Sequence, residues 1–221
     1  MNFLSHFYFD RNTHSSELGL GLILPDLIHS HNKSWVFKPE KKEGEYEGKV
    51  LDLYNGWIRH KKVDKLFHNS PFFQEKTQGL KDKLQNAFSK SPVWSFFLAH
   101  ITLELTLDSL LITQNKIQVN EFYALLEKVQ SSAILEFLEI NQVSDPRSFI
   151  PYFEEFLASG YLNKYVNPQE LTYPLGRICY RIWKEKFTSE QNECLREAIL
   201  DFCEQNQSRF MEIFDYIQGQ L

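Results

Sequence analysis

The sequence lacks the features that mark several large classes of protein. It has only three cysteines in 221 residues, all in the last fifth and none closely paired, which argues against a disulfide framework, a zinc knuckle or a redox dithiol. Its nine glycines form no glycine-rich phosphate loop, so nucleotide-binding folds are disfavoured. Lysine and arginine number 24 against 29 acidic residues, so we expect no nucleic-acid partner.

Targeting and membrane segments are not expected either. Residues 1–10 lack a basic start followed by a continuous apolar run, so we expect no export and a cytoplasmic protein. The apolar run from Val93 to Ile112 is long enough to cross a bilayer. However, His100, Glu104 and Asp108 interrupt it, and each would cost about 2 to 3 kcal/mol or more inside a membrane. The run therefore predicts a buried helix of a soluble protein.

What the sequence does have is helical periodicity and many aromatic residues. Hydrophobic residues make up 43% of it, with 19 Phe and 10 Tyr. Apolar residues recur with a period near 3.6 in almost every segment, and no segment alternates as a strand does. We therefore predict an all-α protein with a single domain over residues 1–221, a metal-site half at about 1–115 and a helical cover at about 116–221. The predicted helices are 17–29, restarted at Pro25, then 46–67, 72–89, 92–112, 120–141, 145–158, 168–186 and 189–219.

Two triplets of ionisable residues each step along the sequence by four. They are His60, Asp64 and His68, and His100, Glu104 and Asp108. A four-residue step advances about 40° around a helix, so each triplet lines one face. No Lys or Arg lies between Lys90 and Lys116, so a remote partner has to compensate the acids of the second triplet.

Our preferred interpretation is a metal site between two helices. Imidazole and carboxylate together suit Mn, Fe or Zn, and bundle cores hold metals with such residues at helical spacing. Three alternatives stay open: Arg177 and Arg181 compensate the acids, Glu104 is protonated in the core, or Asp64 pairs with neighbouring lysines at the surface. His6 and Asp26, both in apolar segments, are further candidate ligands.

Five stretches in the first half of the chain are similar, in the same order, to the motifs of one known family. The family's opening Met-Asn-Phe-Leu-x-His is similar to Met1–His6, and its Gly, apolar residues and Ala-Asp are similar to Gly21–Asp26. Its Gly-x-x-x-His-Arg-Arg-Ile-Asp resembles Gly56–Asp64, and its Ser/His-Pro stop resembles residues 69–71. Its apolar helix with two acids four apart resembles the helix of Glu104 and Asp108.

By these motifs the chain resembles the acyl carrier protein phosphodiesterase family, and the resemblance implies a fold and an activity. The family is helical, distantly similar to the orthogonal bundles of HD phosphohydrolases, and uses Mn to cleave phosphopantetheine from acyl carrier protein. The implied site residues are His6, Asp26, His60, Asp64, Glu104 and Asp108. The chain departs from the family at Phe67-His68, where the family has Thr-Asp, and at Ser109, where it has His. His68 and His100 would replace the missing ligands, and the substrate would be changed.

The sequence thus predicts a metal-dependent phosphodiester hydrolase. Asp26 or His68 would accept the proton from the attacking water. Phosphate would bind to basic residues, for which the candidates are Lys61, Lys65, Arg177 and Arg181. Two rival hypotheses stay open, a di-iron oxygenase on the same frame and a catalytically silent binding protein. The silent protein would grip a partner with aromatic residues, namely Phe149, Tyr152, Phe153, Phe156, Tyr161 and Tyr165.

Overall fold

Every secondary-structure element of the protein is a helix. The computed structural model describes all 221 residues, of which 73% are helical, and contains no strand, so the predicted all-α class is confirmed. The α-helices are α1 (Phe3–Tyr8), α2 (Ser16–Gly21), α3 (Leu24–His31), α4 (Gly48–His68), α5 (Pro71–Leu84), α6 (Ser95–Thr113), α7 (Val119–Leu126), α8 (Ser131–Ile140), α9 (Phe149–Ser159), α10 (Thr172–Trp183), α11 (Ser189–Asn206) and α12 (Met211–Gln218). Short 3-10 segments cover Pro39–Glu45, Pro146–Ser148, Tyr161–Val166 and Pro168–Leu171.

The chain forms two compact units that interleave along the sequence. Unit 1 contains residues 1–5, 65–116 and 164–221, and unit 2 contains residues 6–64 and 117–163. Each unit therefore draws on both halves of the chain, and α1 and α4 contribute residues to both. The single domain over residues 1–221, with a division near residue 115, stays a prediction.

Helix α6 forms the centre of unit 1. Helices α5, α10 and α11 pack against it, and most of its side chains are buried. Two of its buried hydroxyls find partners inside the core: Thr106 Oγ1 donates to the Thr102 carbonyl at 2.7 Å, and Ser109 Oγ donates to the Tyr165 carbonyl at 2.6 Å. The buried Thr102 hydroxyl makes no hydrogen bond. Ser95–Thr113 is long and apolar enough to cross a membrane, but it is 61% buried within the protein. That burial is consistent with the core helix of a soluble protein.

In unit 2, the short helix α2 is held from several sides. It packs on α7, follows directly into α3, and crosses α4 where two glycines meet. The buried carboxylate of Glu17 accepts hydrogen bonds from Lys49 Nζ of α4 at 3.0 Å and from the Gln130 amide, just before α8, at 3.3 Å. These contacts fix the positions of α3 and α4, which carry Asp26 and His60.

Several predicted helix ends are confirmed, and each has a local cause. Pro25 occupies the first turn of α3 and separates it from α2, as predicted. Ser70 accepts a hydrogen bond from the Phe73 amide and begins α5. Thr188 and Gln191 form a capping box that begins α11.

Other predicted boundaries are wrong. Residues 120–141 form two helices, α7 and α8, because the backbone between them turns to place the Gln130 amide on Glu17. Residues 189–219 also divide, and the side chain of Asn206 bonds to the Phe202 carbonyl at that end of α11. The apolar helix begins at Ser95, so Pro92 lies in the preceding turn. Helix α1 was not predicted, because six residues are too few to show a period.

Candidate metal centre

Four ionisable side chains converge in unit 2, and we call them the first cluster. They are His6 of α1, Asp26 of α3, and His60 and Asp64 of α4. His60 Nε2 lies 3.9 Å from Asp26 Oδ1 and 3.7 Å from Asp64 Oδ2. His6 Nε2 lies 3.1 Å from Asp64 Oδ1. Ligand atoms of His6, Asp26 and His60 all lie within 4.8 Å of one another, which is close enough to share one ion.

A backbone carbonyl fixes the orientation of His60. Its Nδ1 lies 2.8 Å from the Leu22 carbonyl oxygen, which can only accept, so Nδ1 carries the proton and donates. Leu22 follows the last residue of α2, where carbonyls have lost their helical partners. Nε2, which lies on the other side of the ring, is consequently directed at the two carboxylates. A histidine that binds a metal commonly has its other nitrogen held in this way.

His6 is fully buried and neutral. Neither of its ring nitrogens makes a hydrogen bond of acceptable geometry, although Nε2 is close to Asp64. Burial and the neighbouring His60 lower the pKa of His6 to about 4. The two rings stack with centroids 3.8 Å apart and an interplanar angle of 17°. Buried nitrogens without a hydrogen bond are rare, and they indicate that another atom belongs there.

The carboxylates give the first cluster its charge. Burial raises the pKa of Asp64, but neighbouring positive charge and the two histidines lower it by more, so that its pKa lies well below the usual range. The two carboxylates of Asp26 and Asp64 are the charged ligands that a divalent cation would meet in this cluster. The Asp26 and Asp64 side chains are 40% and 33% exposed, against 0% and 4% for His6 and His60. Solvent therefore reaches the cluster from its carboxylate side.

Three further side chains meet in unit 1, and we call them the second cluster. They are His68, in the last turn of α4, and His100 and Glu104 of α6. Glu104 Oε1 lies 2.9 Å from His100 Nε2 and 3.5 Å from His68 Nε2, and the two Nε2 atoms are 3.0 Å apart. The amine of Met1 also lies 3.0 Å from Glu104 Oε1. Burial raises the pKa of Glu104, but the amine and the histidines lower it well below its usual value.

The structure thus regroups the predicted triplets. His68 does not share a cluster with His60 and Asp64 but joins His100 and Glu104, because it lies in the last turn of α4, at the α6 side of unit 1. The sequence could not show this regrouping, since both arrangements place residues at helical spacing. No side-chain pattern marks the Leu22 carbonyl either, so its contact with His60 was also missed.

Asp108 belongs to neither cluster, which corrects its assignment as a metal ligand. Its Oδ1 accepts from the Ser5 amide at 2.7 Å and from Ser5 Oγ at 2.6 Å. Its Oδ2 accepts from the Leu4 amide at 3.1 Å and from Asn2 Nδ2 at 2.8 Å. The first amides of a helix have no partner within it, so the buried carboxylate satisfies the start of α1. Recognising α1 in the sequence would have been needed to predict this role.

The predicted phosphate-binding residues lie on the surface. Lys61 forms an ion pair with Glu40, whereas Lys65, Arg177 and Arg181 are exposed and form no ion pair in the structure. The alternative in which Arg177 and Arg181 compensate the acids of α6 is therefore wrong. Asp108 is bound by backbone amides, and Glu104 is bound by the Met1 amine and by histidines. A phosphate-binding role for these four residues stays a prediction.

Four of the six aromatic residues predicted to bind a partner are buried, and the other two, Tyr152 and Tyr161, are partly buried. Phe149, Phe153 and Phe156 are buried in unit 2, and Tyr165 is buried in unit 1. The four buried rings cannot contact a partner, and the binding protein stays a hypothesis.

Comparisons with known proteins give no indication of the function of this chain. No model of a protein family, no curated protein and no solved structure matches this chain.

Proposed function

We propose that this chain is a cytoplasmic, divalent-metal-dependent phosphodiester hydrolase with its catalytic centre at the first cluster. The observation that carries the proposal is His6, a fully buried imidazole with two nitrogens that make no hydrogen bond, stacked on a second imidazole and beside ionised carboxylates. Without a cation, such a set leaves lone pairs and negative charge facing each other in a poorly solvated place.

The residues present fit a divalent ion. His6, Asp26 and His60 would hold it, with Asp64 as a further oxygen donor, and two imidazoles with two carboxylates suit Mn, Fe or Zn. The resemblance described above favours Mn. When bound, such an ion lowers the pKa of a water molecule and neutralises charge on a phosphodiester.

The chain's own residues divide the remaining work. His6 and His60 form the buried floor of the cluster, and the Leu22 carbonyl keeps the Nε2 lone pair of His60 directed at the acids. Asp26 is the most exposed of the four, so we assign to it the proton released by the attacking water. A substrate would approach from the same carboxylate side, which solvent reaches.

The resemblance also supplies the substrate class. Acyl carrier protein carrying phosphopantetheine is the expected partner, with a changed phosphodiester as the variation allowed by the departures at Phe67-His68 and Ser109. The exposed cations Lys65, Arg177 and Arg181 are the candidates for phosphate contacts.

A metal-reconstitution assay tests the proposal. Full-length protein is stripped with chelator, reloaded with Mn²⁺, Fe²⁺ or Zn²⁺, and assayed for release of phosphopantetheine from acyl carrier protein and for cleavage of a chromogenic phosphodiester. We expect Asp26→Asn to lower kcat about 10²-fold or more, and His60→Ala to lose metal and activity. His14→Ala, at an exposed histidine, is the matched control. Undiminished cleavage by His60→Ala, or no cleavage of either substrate with any of the metals, would contradict the proposal.

A second candidate has one observation in its favour. Each cluster contains two histidines and at least one carboxylate, the ligand set of many non-haem iron oxygenases. Loading with Fe²⁺ under anaerobic conditions and then admitting oxygen separates the two functions. An oxygenase would consume oxygen with a change in its absorption spectrum, whereas a hydrolase would cleave the phosphodiester equally well without oxygen.

A further inference from the structure

We infer that the second cluster, His68, His100 and Glu104, is a binding site for a single Zn²⁺ ion that fastens the end of α4 to α6. It shares no residue with the first cluster, and all its ligand atoms belong to unit 1. The inference does not depend on the proposed hydrolase activity, because it concerns how unit 1 is held together.

Protons alone satisfy the contacts of the second cluster only poorly. His100 Nε2 lies 3.0 Å from His68 Nε2 and 2.9 Å from Glu104 Oε1. One ring nitrogen carries at most one hydrogen, so if His100 donates to Glu104, that same hydrogen reaches His68 only as a shared and weaker bifurcated bond. If His100 instead accepts from His68, its lone pair faces the carboxylate oxygen. If both rings are protonated, two N–H groups face each other.

A cation among the three atoms removes this conflict. Two ligands at about 2.1 Å from one zinc ion stand about 3.0 to 3.4 Å apart at right or tetrahedral angles. The three observed separations, 2.9, 3.0 and 3.5 Å, lie within about 0.1 Å of that range. Two imidazoles and one carboxylate are also a ligand set that zinc uses with a fourth position left to water.

The site would join two elements that come from different parts of the chain. His68 lies in the last turn of α4, and the ring of Phe73 at the start of α5 packs edge-on against both His68 and His100. A metal bond between α4 and α6 would close a loop that contains the whole of α5. Because the ligands come together only in the folded protein, ion binding adds directly to folding stability.

The Met1 amine lies 3.0 Å from Glu104 Oε1 and could neutralise the charge of this carboxylate in place of a metal ion. If that amine and the ring protons were sufficient, the second cluster would bind no metal, and removing a histidine would leave metal content unchanged. The experiment is chosen to separate these cases.

The test counts zinc ions and measures stability on the full-length chain. His68→Gln is the main variant, because this side chain is 32% exposed and its loss should leave packing intact. Glu104→Gln is the second variant, and it keeps the shape of the side chain while removing its charge. His14→Gln is the control. Each protein is stripped with chelator, titrated with Zn²⁺, analysed by elemental analysis and melted with and without Zn²⁺.

We expect His68→Gln and Glu104→Gln to bind one equivalent of zinc fewer than the wild type and the control. Zinc should raise the melting temperature of the His6→Ala variant, which lacks part of the first cluster, by more than that of His68→Gln. Equal zinc content and equal zinc-dependent melting in His68→Gln and the wild type would overturn the inference. The test measures zinc content and melting temperature and does not measure phosphodiesterase activity. Failure of the proposed function can therefore be told apart from failure of this inference.

Discussion

Gly21 of α2 and Gly56 of α4 meet backbone to backbone. A Cβ atom built on Gly56 would lie 2.7 Å from Gly21 Cα, and one built on Gly21 would lie 2.8 Å from Gly56 Cα. Side-chain carbons do not approach backbone atoms so closely, so both positions require glycine for this crossing. His60 follows Gly56 by one helical turn, and Leu22 follows Gly21 directly, so the crossing also sets the distance between His60 and the carbonyl that orients it.

Gly56→Ala is therefore expected to destabilise the protein by at least about 2 kcal/mol, because two rigid backbones must separate to admit the methyl group. Urea unfolding of the full-length chain measures the effect. The control is Gly79→Ala in α5, where a Cβ would meet no atom within 4 Å. That substitution should be neutral or stabilise by up to about 1 kcal/mol, because alanine favours helix. Equal stabilities of the two variants would show that the α2 and α4 backbones are not in contact.

Glu17 leads to a second prediction, on the pH dependence of stability. Burial raises the pKa of this carboxyl, but hydrogen bonds from Ser16, Lys49 and the Gln130 amide lower it by more, so the net shift is downward. A lowered pKa means that the carboxylate stabilises the fold above the unfolded pKa of about 4.5 and loses that contribution as the pH falls through the folded value.

Glu17→Gln should accordingly cost about 1 to 3 kcal/mol of unfolding free energy at pH 7, because the buried side chain of Glu17 loses the charge that strengthens its hydrogen bonds from Lys49 and the Gln130 amide. The difference from wild type should shrink as the pH is lowered below 4.5. Glu155→Gln, at an exposed position of α9, is the control and should change little. A Glu17→Gln penalty that stays constant between pH 7 and pH 3.5 would show that charge does not matter at this position.

Asp108 should behave in the opposite direction. Burial raises its pKa to about 6, against the hydrogen bonds from Ser5, Leu4 and Asn2, which lower it. Because its pKa is raised, protonation of Asp108 stabilises the folded state. This contribution to the free energy of unfolding is fully present below the unfolded pKa of 3.8 and is lost as the pH rises through about 6. Asp108→Asn does not titrate, so comparison with it isolates this effect.

We expect the stability of the wild type relative to Asp108→Asn to fall by about 1 kcal/mol between pH 5 and pH 7.5. The asparagine should also be less stable at pH 5, because its NH₂ group would face the amides that start α1. Urea unfolding at the two pH values tests both statements, with Asp215→Asn, an exposed site in α12, as control. A relative stability that rises with pH would contradict the shift of the Asp108 pKa.

Features that depend on neighbouring residues can be predicted from this sequence, whereas features that depend on distant partners cannot. The all-α class, the start of α5 at Ser70 and the capping box at Thr188 depend on neighbouring residues, and the sequence predicts them correctly. The convergence of His6 with Asp26 and His60 was suggested by the family resemblance and is present in the structure. The predicted role of Asp108 was wrong, because its partners are the amides of Leu4 and Ser5 and the side chains of Asn2 and Ser5, which lie more than 100 residues away in the sequence. No pattern in the sequence pairs these residues with Asp108.

The same reasoning explains the regrouping of His68. On α4 its spacing from His60 and Asp64 suits one helical face, but the two ends of a 21-residue helix lie in different packing environments. Helical periodicity predicts the direction in which a side chain points and says nothing about the element it meets. Tertiary contacts alone placed His68 beside His100.

The tautomer of His60 provides the last prediction. A neutral histidine in solution carries its proton mainly on Nε2, whereas the Leu22 carbonyl at 2.8 Å requires the proton of His60 to be on Nδ1. Long-range proton–nitrogen NMR on the chelator-treated protein at pH 7.5 should therefore show a protonated Nδ1 and an unprotonated Nε2 for His60. The exposed His14 should show the solution mixture and is the internal control. Adding Zn²⁺ should shift the Nε2 resonance of His60 and leave that of His14 in place. A proton found on His60 Nε2 would mean that this nitrogen cannot face a cation, and the first cluster would then lose its best-oriented donor.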